Sequence, residues 1–370
     1  MGKDVKKDIL AALKKAEGDK GNISLPSESL RFIEQENKTL WIEFTDCKYI
    51  IGYDYEDKEG KNVHKNYNMQ DSGVCFEGWA VIIKTYCDYD KIVLDVKNVK
   101  DEKGLYENWI EKRNGLDAKN GHVGRFFYRA LRFCEQYEWF SLSKELEMEV
   151  KLFEDYISQE KKFWNNIPKG KAGKSEAEEK AENDIEDQLA KADTLYKALL
   201  NRKGLEFDKN DAVYRQLPVG LFEDEVKTKN TVFTGGKSAI DLWTCHDDIL
   251  YLIELKYNNK MVGIITEIFF YSNYMWDLIR DNGGFEISKP GNRKEEEEAG
   301  LRGYDKIQRG KYKQIKGVLL ADEGFYHPLV TEQVIETLNG NKKELAPIEY
   351  VRAAYEVDEN RKVIPAKQNK

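Results

Sequence analysis

The run ILYLIELKY, residues 249–257, reads as a strongly apolar strand that carries an acid and a lysine in its second half. A turn at CHDD, 245–248, separates it from a shorter strand, SAIDLWT, 238–244. Alternate side chains share a face of a strand, so Glu254 and Lys256 project together, while Leu255 points the other way and offers its carbonyl at the same place. If the turn sets the two strands side by side, Asp241 lies next to Glu254. Whatever this chain folds into must then hold two carboxylates and an ammonium group together.

The elements around these strands follow from the apolar spacing. A helix is expected over 176–202, then a loop over 203–230 and the two strands. A long helix over 261–281 follows, then a polar insertion at about 282–314, a strand at 315–322, a helix at 328–340 and a strand at 348–357. The order α-β-β-α-β-α-β predicts an α/β unit, a mixed sheet flanked by helices, over about 175–358. Residues 1–165 read as a separate α+β domain. Its helix is KKDILAALKKAEG, its strands are TLWIEF, KYIIGYDY, GWAVIIKTYC and KIVLDVKNV, and two closing helices lie in GRFFYRALRFCEQYEWF and LSKELEMEVKLFEDYISQEKKFW. Pro, Gly, Lys and Glu mark a linker at 166–181, and 359–370 reads as a polar tail.

With 370 residues, 41% of them hydrophobic, the chain can build two cores. It has no run of roughly 20 apolar residues to cross a bilayer, and the charged opening MGKDVKKDIL suits neither a signal peptide nor a lipid anchor. A cytoplasmic protein without a membrane partner is expected. The five cysteines are scattered, as are His64, His122, His246 and His327, which disfavours a disulfide framework and a zinc centre. The net charge of −8 argues against a surface that coats nucleic acid throughout but leaves room for local basic patches.

GGKS, 235–238, has the ending of a phosphate-binding loop, yet the first glycine of that motif falls on Thr231 and a strand pattern follows where a helix is required. Gly235 and Gly236 read better as a turn into the strand. The acids carry more. Asp241, Glu254 and the Leu255 carbonyl make an all-oxygen donor set suited to magnesium or manganese, with Lys256 placed to orient or help deprotonate a water. Such a site fits phosphodiester hydrolysis.

With Asp241 as first acid, Glu254 as second and Lys256 as the lysine, AIDLW and LIELK resemble the PD-(D/E)xK nuclease superfamily, Ala239 and Ile240 standing where the proline of the name would be. The resemblance spans about residues 175–358 and implies a restriction-endonuclease-like core. It also implies a magnesium- or manganese-dependent nuclease, an endonuclease of restriction or defence. Nucleic acid is the implied partner, DNA ahead of RNA, and a homodimer is compatible with double-strand cutting. The first domain would select or sense the target. Superfamily members often add a glutamate from the helix before the first strand, and Glu182, on the stripe of Ile185, Leu189, Ala192, Tyr196 and Leu199, is the first candidate, with Glu186 the alternative. Glu267 and Tyr271, in EIFFY, resemble the Q-x-x-x-Y element of the recombination-exonuclease branch; the other reading makes Tyr271 core and Glu267 an edge residue.

For nucleic-acid contacts the candidates are Arg302, Lys306, Arg309, Lys311 and Lys313, interleaved with Tyr304 and Tyr312, which offer phosphate neutralisation and base stacking. A charged loop without a partner is the alternative. Arg125, Arg129 and Arg132 read as core packing with a basic edge. Asp95 and Lys97, in KIVLDVKNV, repeat the acid-x-lysine spacing but read as structural, because the strand before them brings no carboxylate. A non-catalytic nucleic-acid or protein binding module on the same fold remains the alternative function.

Overall fold

In a computed structural model the described residues are 2–18, 23–65, 67–97, 104–114, 121–169, 177–199, 204–258, 260–281, 283–322, 324, 326–340 and 346–365. The strand of ILYLIELKY, β11 (Ile249–Lys256), lies at the centre of a seven-stranded sheet. It pairs antiparallel with β10 (Thr231–His246), which pairs antiparallel with β9 (Tyr214–Glu223). On its other side β12 (Gln314–Asp322) and β13 (Ile348–Val357) run parallel to it. The edges are β8 (Phe163–Asn165) and β14 (Val363–Pro365), both antiparallel to their neighbours.

Helices cover both faces of this mixed sheet, so the fold is α/β. On one face α7 (Ala177–Leu189) and α8 (Ala192–Leu199) bring Ile185, Leu189, Leu195 and Leu199 onto Ile253, Leu255, Val318 and Leu320. On the other lie α9 (Gly263–Ile279), α12 (Glu332–Asn339) and the first half of the chain.

That first half is built on a five-stranded sheet: β1 (Lys3–Asp4), β2 (Leu30–Gln35), β3 (Thr39–Phe44), β6 (Lys91–Val96) and β7 (Phe140–Leu142), with β4 (Tyr53–Glu56) and β5 (Asn62–Lys65) pairing apart. β1, β2 and β3 are antiparallel, while β3, β6 and β7 are parallel. Parallel neighbours need crossovers, so helices interleave with the strands instead of following them, as the α+β expectation had it. GWAVIIKTYC, expected as a strand, is most of α3 (Phe76–Tyr86); every residue from Phe76 to Ile83 is buried, so no polar stripe betrays the helical period. KYII forms the single-turn helix α2 (Lys48–Ile51), which Gly52 ends at φ 76° before β4.

One apolar core runs across the boundary expected near residue 165. It joins Phe126, Phe127 and Phe133 to Phe233, Phe269 and Phe270. β8, just ahead of the expected linker, is a strand of the larger sheet. Of that linker, residues 170–176 lie outside the described residues, and 177–181 already belong to α7. The tail expected at 359–370 contributes β14; residues 366–370 lie outside the description. Polar pairs reinforce the seam. In α5 (Gly121–Gln136), Tyr128 and Arg132 donate to Asp277 Oδ2 at 2.6 and 2.8 Å, and Arg129 binds Glu77, whose Oε2 accepts from Thr266 at 3.1 Å. No helix among the described residues is long and apolar enough to cross a membrane.

Candidate functional site

The β10–β11 hairpin turns at Asp247 and Asp248, with Asp247 at φ 49°, and its ladder runs back to the pair Leu242–Ile253. Continuing that register sets Asp241 opposite Glu254. There the two strands part: β10 stays on β9, with Ile240 opposite Leu217, while β11 stays on β12 as far as Lys256 opposite Ala321. Leu255 N–H donates to Asp241 Oδ2 at 2.8 Å. In a strand the carbonyl leaves by the same edge as its own amide, so the Leu255 carbonyl faces the gap that Asp241 borders.

GGKS lies inside β10, within an irregular stretch. Phe233 pairs with Leu221 and Ser238 with Val219, so five steps along β10 match two along β9. The turn expected there is a bulge, a device that re-aims side chains beside sites. Opposite Asp241, Gln216 sits at φ 51° between the pairs Arg215–Leu242 and Leu217–Ile240.

A cavity of about 460 Å³ opens at this divergence, and Asp241, Glu254, Lys256, Glu182, Glu186, Glu267 and Tyr271 all line it. Lys256 Nζ lies 2.6 Å from Glu254 Oε1 and 2.9 Å from Glu267 Oε2. Burial works against its charge, but Glu254, Glu267, Asp241 and Glu182 outweigh that and hold its pKa well above the usual lysine value. Lys256 is therefore an ammonium at neutral pH, a donor and not a base. Glu254 is only 2% exposed, and its Oε2 has no hydrogen-bond donor among the described residues. Burial, then the charges of Asp241 and Glu267, push its carboxyl well above the usual range. Asp241 is shifted the same way, first by burial and then by Glu186, with Lys256 and the Leu255 amide offsetting part of it. Glu186 is tied to Arg215, whose Nε donates to its Oε2 at 3.0 Å, although burial still raises its pKa.

Among the described residues no three His, Cys, Asp or Glu side chains form a ready group for a metal ion. The cavity offers an open donor set instead: Asp241, the undonated Glu254 Oε2 and the Leu255 carbonyl. Magnesium commonly binds through one or two carboxylates while keeping waters and taking substrate phosphates, so these hard oxygens, with an orphaned buried carboxylate atom among them, fit it.

Several lining residues escape sequence reasoning. Asn68, Met69, Gln70 and Arg125 come from the first half, and Ser238 and Gln216 from β10 and β9. A Cβ on Gly263, at the start of α9, would meet the Gln70 carbonyl oxygen at 2.0 Å, so that glycine is what lets the 68–70 segment close onto the rim. Arg125 sits in an aromatic helix beside the structural Arg129 and Arg132, which hides its different surroundings.

The basic run behaves otherwise than its pattern suggests. Tyr304 is buried and donates to Asn165 Oδ1 at 3.0 Å and Ser288 O at 2.9 Å; Tyr312 is buried and donates to Lys306 O at 3.1 Å. Neither is available to stack on a base. Tyr304 opens the short helix α11 (Tyr304–Arg309). Lys306, Arg309 and Lys311 are exposed, and Arg302, half-buried, donates to the carbonyls of Lys169 and of Gln216, itself a cavity-lining residue, at 3.2 and 3.0 Å. In the other sheet Asp95 accepts from Ser143 Oγ at 2.5 Å, and Lys97 pairs with Glu43 at 2.8 Å. In comparisons with known proteins, this chain matches no family model, no curated protein and no solved structure.

Proposed function

We propose that this chain is a metal-dependent nuclease of the PD-(D/E)xK kind, built on a restriction-endonuclease-like core and hydrolysing phosphodiester bonds of nucleic acid, DNA ahead of RNA. One observation carries the reading. Asp241, Glu254 and Lys256, singled out by spacing, share a cavity with Glu182, Glu267 and Tyr271, at the point where two paired strands part.

Asp241, Glu254 and the Leu255 carbonyl would hold magnesium or manganese, which when bound neutralises charge on the phosphate and acidifies water. Lys256 keeps its proton between Glu254 and Glu267. It donates hydrogen bonds to the attacking water or to a phosphate oxygen, and so fixes their approach. The water oxygen forms the new bond to phosphorus, the bond to the leaving sugar oxygen breaks, and a water proton goes to solvent or to a carboxylate of the cavity. Lys306, Arg309 and Lys311, exposed in the run after Arg302, supply phosphate-backbone contacts. A role in restriction or defence, with the first half selecting the target, follows from the resemblance.

The test incubates the full chain with magnesium or manganese and single- and double-stranded DNA and RNA, beside Asp241→Ala, Glu254→Ala and Lys256→Ala. Cleavage by the wild type and its loss in each folded variant is the expected outcome. Cleavage that persists unchanged in all three overturns the reading, and tight binding without cleavage points to the binding module instead.

A further inference from the structure

The first half of the chain places a charged side chain in the cavity for which the mechanism above gives no role. Four arginines lie on neighbouring helices, Arg113, Arg125 and Arg129 buried and Arg132 half-buried, but their partners differ. Arg113, at the end of α4 (Leu105–Asn114), pairs with Glu223, Arg129 with Glu77, and Arg132 with Asp277. Arg125, 6% exposed, makes no ion pair among the described residues. Its NH1 donates to Ser238 Oγ at 3.2 Å, and its NH2 lies 2.8 Å from His122 Nδ1. Both partners are short of the charge that a buried guanidinium normally recruits. Burial, then the neighbouring Arg129, lowers its pKa to about 10, so it is still a cation at neutral pH.

Its position is built and not incidental. At Gly124, one residue earlier, a Cβ would stand 2.2 Å from the Val232 carbonyl oxygen, so the absence of a side chain lets α5 lie directly on β10. That approach carries Arg125 to the cavity wall, in contact with Ser238, three residues from Asp241 on the same strand. A guanidinium presents five N–H donors in a planar fork that matches two oxygens of a phosphate. Among the described residues no carboxylate bonds to it, and it faces the space that Asp241, Glu254 and Lys256 share.

We propose that Arg125 binds a non-bridging phosphate oxygen of the substrate, making it a substrate-binding residue that the first half contributes to the site. The proposal rests on reading the cavity as a phosphodiester site. It explains why an arginine among three carboxylate-paired neighbours lacks a carboxylate: its anion arrives with the substrate. A purely structural Arg125 would only balance the nearby charges of Glu267 and Glu77, and would leave anion affinity untouched.

The test titrates inorganic phosphate into the full chain in millimolar magnesium, reading the phosphorus-31 linewidth, for wild type, Arg125→Gln and Arg125→Lys. The same three proteins enter the oligonucleotide cleavage assay. Phosphate affinity is expected to fall about tenfold or more in Arg125→Gln, the loss typical of a charge-assisted hydrogen bond, and less in Arg125→Lys. The KM for the oligonucleotide is expected to rise in the same order, with kcat changed less. Thermal unfolding checks that each variant is folded; if Arg125→Gln is not, the wild-type titration and the Arg125→Lys comparison decide. A wild type that binds no phosphate, or an affinity that Arg125→Gln leaves unchanged, overturns the assignment even where cleavage proceeds. Phosphate binding that depends on Arg125 in a chain that cleaves nothing upholds this anion site and overturns the nuclease reading.

Discussion

Replacing Asp241 by asparagine removes one negative charge from the cavity and keeps its shape, since the amide oxygen can still accept from the Leu255 amide. The carboxyl of Asp241 has its pKa raised well above the ordinary value by burial and by Glu186. The sign follows from linkage: an acid whose folded-state pKa lies above its unfolded value contributes stability that is full below the unfolded value and is lost as pH rises through the folded one. At neutral pH, above the unfolded value, the cost of burying Asp241 therefore weighs on the folded chain, and asparagine imitates the protonated form. Like charges lining one cavity, taken about 5 Å apart, repel by about 3 kcal/mol at an effective dielectric constant of about 20. Lys256 attracts Asp241 and cancels part of this, leaving a gain on the order of 1–2 kcal/mol for Asp241→Asn in chelator. Urea unfolding at pH 7 measures it. In magnesium the gap should narrow: the wild type gains about 1.4 kcal/mol at ten times the dissociation constant, and the variant, with a charged donor removed, gains less. An Asp241→Asn protein that is less stable in chelator refutes the charge argument, and one that magnesium stabilises as much as the wild type refutes the donor set.

Lys256→Met should abolish cleavage and cost about 3–5 kcal/mol of stability, because it leaves Glu254 and Glu267 buried without their shared counter-ion; an unchanged urea midpoint refutes this. His327, whose pKa burial and Lys260 lower to about 4, accepts from the Leu329 amide through Nδ1 and so folds neutral. Its contribution is complete above the unfolded pKa near 6.5 and is lost as pH falls towards 4, up to about 3 kcal/mol, a slope that unfolding titrations should find flattened in His327→Gln. Gly263→Ala forces a Cβ against the Gln70 carbonyl, with an expected cost of about 1–3 kcal/mol and a loosened rim, seen as a lower thermal midpoint; no change in the midpoint counts against the close packing described.

What the sequence makes legible is local chemistry whose spacing survives folding. CHDD marks a turn between SAIDLWT and ILYLIELKY, enough to bring Asp241 towards Glu254, and the ladder narrows that turn to Asp247 and Asp248 and fixes the register. β9 is hidden for the opposite reason: Pro218 and Gly220 interrupt YRQLPVGLFE and Gln216 takes a positive φ, all signals of loop, and only its pairing with β10 makes it a strand. α3 is missed because burial on all sides erases periodicity. The basic run 302–313 reads as a stacking surface because sequence does not say which way a tyrosine points; Tyr304 and Tyr312 point inward to hydrogen-bond partners. Arg125 and the 68–70 segment are illegible as site residues because they reach the cavity only through the packing of α5 and α9 against partners more than a hundred residues away.

α9 has a consequence beyond the site it borders. It packs against β11 and β12 and against α3, and its Phe269 ring stands 5.0 Å from that of Phe133 in α5. The helix that positions Glu267 is thus held in common by both halves, and neither owns a complete core without it. Modular proteins diversify by exchanging one unit for another across an exposed joint. Here an incoming unit would have to reproduce the surface on which α9 packs.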